Sequence, residues 1–242
     1  MKTEAERENG SATVVGFVLI FAIVVSLTVL YAAAVVPTEE ERAAESSVIS
    51  AKEDMISFSL LLNELESIPY VPVSYMPVFS GSSAAELTSG GSLFVGDETL
   101  SLDKLVYSVA VSEIGLSAGG IYRSDTGGAV WLSHPLISGS GDSITCIVPQ
   151  YHGSLSRGTS SGGIPLTAEY LGSFVKTIQS DSPVSVVYSG EDAKLWYAAF
   201  YELSKKYSQA KSPVLQSGFA EITIVPENTM TITVICPEYQ IS

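Results

Sequence analysis

The stretch SATVVGFVLIFAIVVSLTVLYAAAVV, residues 11–36, decides the architecture. It holds no Asp, Glu, Lys, Arg or His, and Tyr31 is its one ionisable side chain. As a helix it would reach roughly 39 Å at 1.5 Å per residue, against a hydrocarbon core of about 30 Å. The reading is a transmembrane helix over 11–36, preceded by a short cytoplasmic leader, 1–10. Orientation follows from the flanks. Lys2, Arg7 and the amino group precede the run, whereas Arg42 behind it stands among Glu39, Glu40, Glu41 and Glu45. Basic residues stay on the cytoplasmic side, so the mass of the chain is expected outside the cell, with the N-terminus inside. A cleaved secretory signal is a competing reading, because Ala32-Ala33-Ala34 imitates a cleavage site. Its apolar region would be only about 7–15 residues, and here the run is longer.

Downstream of Pro37, Thr38 and Glu41 have capping-box spacing, which restarts a helix there. A stripe then alternates in steps of four and three: Ala44, Val48, Ala51, Met55, Phe58, Leu62, Leu65. This is an amphipathic stalk helix within 37–68, ended by Pro69. Its stripe suits either docking on the chain's own head, the simpler reading, or a packing seam between subunits. Residues 69–91 form a Pro/Gly/Ser-rich connection, with 80–92 read as loop. From 92 to 242 the chain reads as a β-rich head. Short runs of β-branched and aromatic residues alternate with Gly/Ser turns, as in an antiparallel sandwich. Glu191–Tyr207 is the exception, an amphipathic helix packed on a sheet. The fold class expected is therefore α+β: a transmembrane helix continuing into an amphipathic helix, then a mainly antiparallel β-sandwich-like head with one packed helix.

Composition narrows function. The net charge is −14, from 12 Lys+Arg against 26 Asp+Glu. Such a surface repels phosphate backbones, so no nucleic-acid partner is expected. Cys146 and Cys236 are the two cysteines. A bridge between them would close a loop of about 90 residues, worth about 4–5 kcal/mol by chain entropy; the alternative is two separate buried thiols. No metal site is expected, because CxxC and HxxxH spacings are missing. Gly115-Leu116-Ser117-Ala118-Gly119 has the letters of a hydrolase nucleophile elbow, but Gly120-Ile121-Tyr122 leads into a strand where that motif needs a helix. His134 and His152 have no spacing that pairs them with a serine. No cofactor and no catalytic residue are expected.

Gly10-Ser11-Ala12-Thr13-Val14-Val15-Gly16 resembles the N-terminus of archaeal type IV pilin-like surface proteins, which carry a class III signal peptide. In that family a membrane peptidase removes a polar leader after Gly and leaves the helix on the protein. The resemblance implies cleavage between Gly10 and Ser11 by a prepilin-type peptidase, and a role for Gly16 in close helix packing. Two departures stand out. Glu8-Asn9 separate Arg7 from Gly10, and Val15 replaces the glutamate of bacterial members. Further along, Gly119-Gly120-Ile121-Tyr122-Arg123, Gly127-Gly128-Ala129-Val130-Trp131-Leu132 and the aromatic helix Leu195-Trp196-Tyr197-Ala198-Ala199-Phe200-Tyr201 look like stretches of the same group, whose head function is uncharacterised. The implied function is a membrane-anchored, non-enzymatic subunit of an archaeal pilus-like filament or complex, self-associating or joined to other pilin-like subunits. The other reading is a permanently anchored, monomeric extracytoplasmic binding or adhesion module.

Overall fold

The computed structural model describes residues 20–31, 36–75, 83–109, 112–158 and 165–242. The chain divides into two compact units, 1–46 and 47–242. In the first unit, helix α1 covers 20–31 with every described side chain exposed. Helix α2, Val36–Leu65, begins in the first unit and ends in the second.

The expected fold class needs correction. Among the described residues strands predominate, so the protein is mainly β rather than α+β. Among the described residues no helix is long and apolar enough to cross a membrane. The described part of the apolar run, residues 20–31, rises about 18 Å as a helix. Gly10, Ser11, Gly16 and the rest of the apolar run up to residue 19 lie outside the described residues.

The second unit is built from two curled sheets. The smaller contains β1 (Val73–Tyr75), β11 (Leu166–Ser180), β15 (Met230–Ile241), β8 (Ser143–Ile147) and β7 (Ile137–Ser140), with β9 (Gln150–His152) also on β15. The larger runs β13 (Val214–Gln216), β14 (Phe219–Ile224), β12 (Val184–Ser189), β2 (Ser83–Val95), β3 (Glu98–Val109), β4 (Ser112–Ser117), β5 (Gly120–Asp125) and β6 (Gly128–Ser133). The short β10, Ser156–Gly158, pairs with β2. Two pairings depart from the antiparallel expectation, since β8 and β9 both run parallel to β15. Residues 83–92, read from their Gly/Ser content as loop, belong to β2. That strand holds because β3 pairs with it along its whole length, with a bulge at Ser89/Gly91 absorbing the glycines.

Two cores use opposite faces of the same strands. In β15, Met230, Ile232, Val234 and Cys236 enter the first core, whereas Tyr239 and Ile241 enter the second. In β3, Leu100 and Leu102 serve the first core and Leu105, Tyr107 and Val109 the second. Side chains alternate faces with period two, so a change of parity is a change of face. Bulges at Ser89/Gly91 in β2 and Tyr170/Gly172 in β11 make the same switch.

Helix α3, Ala193–Lys206, seals the first core with Trp196, Phe200 and Leu203. The Trp196 ring stacks on Tyr188 at 5.0 Å and meets Trp131 edge-on at 6.0 Å. Trp131 Nε1 donates to Leu195 O at 2.6 Å, and Lys104 Nζ donates to Asp192 Oδ2 at 3.0 Å at the start of the helix. Helix α2 seals the second core.

Candidate assembly surfaces

The residues singled out from sequence fall into three groups. Val48, Ala51, Met55, Phe58, Leu62 and Leu65 of α2 are buried in the second core against β3, β4 and the end of β15. Their four–three spacing keeps them on one face, and that face is filled by the chain's own head. Tyr75 reinforces the seat, its ring 5.7 Å from Phe58 and its hydroxyl donating to Asp54 at 3.3 Å. Ala44, in the first unit, is half-buried.

Cys146 and Cys236 are free, fully buried thiols of the first core. Cys146 faces Val234 across the parallel β8–β15 pair, so Cys236 lies two residues further along the neighbouring strand. Strand spacing and rise put their Cα atoms roughly 8 Å apart, beyond the usual disulfide reach of about 7 Å. Burial pushes the Cys146 thiol up to about 12 and the Cys236 thiol up to about 11.

The residues screened for chemistry are dispersed. Gly115–Gly119 forms the end of β4 and a two-residue turn into β5, with positive φ at Ala118 and Gly119. Ser117 is buried there. His152 lies on β9, which follows β8 along the same edge of β15, and its Nε2 stands 4.0 Å from Glu238. His134 lines a cavity of about 60 Å³ beside Phe200 and Lys206. Among the described residues no group of His, Cys, Asp and Glu is placed to hold a metal. Asp142 is committed to the fold: Gln209 Nε2 donates to it at 2.8 Å and Asn228 Nδ2 at 3.0 Å, and these bonds hold its carboxyl below the usual range.

Two surfaces escaped the sequence reading. The first is the outer side of α2. Ile49, Ile56 and Leu60 are 56%, 38% and 59% exposed. Their separations of seven and four put them on one narrow stripe, which Glu53 shares, away from the buried one. The signal was present in the sequence but hidden under the stronger inner pattern.

The second is a bare part of the smaller sheet. On the face of β15 that carries Tyr239 into the second core, the earlier odd positions carry Ile235, Thr233 and Thr231. Cross-strand pairing aligns Val175, Ile235 and Ile147 in one row and Thr177, Thr233 and Thr145 in the next. Gln179, Thr231 and Ser143 make the third. None of these side chains ionises, in a chain of net charge −14. Val175 is 60% exposed, and the β15 members are half-buried between their neighbours. Helix α2 ends at the rim of this area, where Leu62, Ile147, Pro237 and Tyr239 line a cavity of about 20 Å³.

No protein-family model, curated protein or solved structure matches the chain.

Proposed function

We propose that this chain is a membrane-tethered surface protein whose β-rich head stands outside the cytoplasm and serves as a subunit of a pilus-like assembly. The observation that carries the proposal is the uncharged run 11–36, whose described part, α1, exposes Ile20, Phe21, Leu27 and Leu30. Large apolar side chains exposed together need an apolar environment or a protein neighbour. The leader-like sequence around Gly10 and Ser11 adds the pilin-like element, and the exposed stripe of α2 offers a further place for neighbours.

Fractionation of the full chain tests the tether. The wild type is expected with membranes, and Val24→Asp, which puts a carboxylate in the middle of the run, is expected to lose that association. Insertion scales set the penalty at about 2.5–3.5 kcal/mol. A Val24→Asp chain with undiminished membrane yield would overturn the tether.

A further inference from the structure

We propose that the bare face of the smaller sheet receives the outer stripe of α2 from a second copy of this chain. The inference rests on the assembly reading above and names its contact. Three observations support this occupant.

The first is continuity. The same sheet face already accepts a helix, because the rows carrying Tyr239 and Ile241 lie under α2 in the second core. The bare rows through Ile235, Thr233 and Thr231 prolong that seat. The chain's own helix cannot fill them, since its inner stripe is fixed on the rows above.

The second is charge. A second copy carries the same net charge of −14 and is repelled by an acidic surface. The bare rows have no ionisable side chain, and Ile49, Ile56 and Leu60 are the apolar part of the outer helix face. Bringing these two patches together removes apolar surface from water, and Glu53, the one carboxylate among Ile49, Ile56 and Leu60 on that helix face, meets neutral Thr and Gln side chains and no second acid in the rows.

The third is size. From Ile49 to Leu60 a helix rises about 16 Å. From Ile235 to Thr231 the strand runs about 13 Å, and the three strands β8, β15 and β11 span about 10 Å, close to one helix diameter.

Donor and acceptor are different patches, so the contact is head-to-tail and propagates unless its rotation closes a ring. A covalent trap tests this on the detergent-solubilised full chain. Leu60→Cys and Thr233→Cys place one thiol on each patch, while the native thiols are buried. With a short bifunctional maleimide, a mixture of the two single variants should give a dimer that neither gives alone. The double variant should give a ladder beyond dimer. Adding Val175→Arg, or separately Thr177→Arg, should abolish the ladder, and two independent charges guard against a single misfolded variant. A double variant that stays monomeric overturns the proposal, as does crosslinking that survives both arginines. The outcome is separable from the assembly reading itself. A membrane-bound, leader-cleaved chain that stays monomeric refutes only this contact, and a soluble chain with an intact leader that forms the ladder refutes only the pilus-like role.

Discussion

At the scale of single residues, the clearest chemistry is suppressed ionisation. Burial raises Cys146 and Cys236 from 9.0 to about 12 and about 11. Tyr107, Tyr122, Tyr151, Tyr188 and Tyr239 are all raised above 10.0, burial being the first cause in each. The sign is the same throughout: the unfolded chain loses these protons more readily than the folded one. Their contribution to stability is full below about pH 9, the unfolded thiol range, and is lost as pH rises through the folded values. Denaturant unfolding followed at stepped pH should therefore show stability falling steadily above pH 9, and the two thiols should react with maleimide only once unfolding begins. Flat stability up to pH 11 would contradict the burial of these groups. Trp131 shows what the sequence disclosed at this scale. A hairpin with Gly127-Gly128 at its turn makes Ile121, Ala129 and Trp131 the inward candidates, and Trp131 packs on Tyr122 and Trp196. The partner atom of its indole, Leu195 O, could not be foreseen, because it comes from a helix 64 residues away.

At the scale of elements, α2 was legible and most of β2, residues 83–91, was not. A four–three stripe is a property of one segment and survives any tertiary context that offers an apolar seat. The strand β2 is Ser/Gly-rich, has weak strand preference of its own and is held by pairing with β3, so its pattern gave no local signal. The two sides of α2 now differ in a measurable way. Phe58→Ala empties a fully buried site and should cost about 3–5 kcal/mol in unfolding free energy. Leu60→Ser, one turn's edge away on the outer stripe, should stay within about 0.5 kcal/mol. Equal effects of the two substitutions would mean that the inner stripe is not seated on the head. The parallel pairing of β15 with β8 and β9 was also out of reach, since strand order depends on partners up to about 90 residues apart.

At the scale of the whole molecule, the switch of strand faces is the organising feature. A sandwich has one core between two sheets, whereas here β3 and β15 turn one face to the first core and the opposite face to the second. Alternation within each half was visible in the sequence; the change of parity between halves was not, because it matters only when two cores are present. This arrangement leaves the first core sealed by α3, the second by α2, and one uncharged stretch of sheet bare beyond the end of α2. The N-terminal segment belongs to a different scale of argument, since its meaning is its environment rather than its packing. The pilus-like role predicts that the leader is removed and the apolar segment retained. The mass of the intact chain isolated from its native membranes measures this directly: the account predicts a protein that begins at Ser11, lacking residues 1–10, and a protein that still begins at Met1, or one that begins near Val35 and is recovered outside the membrane, would contradict it.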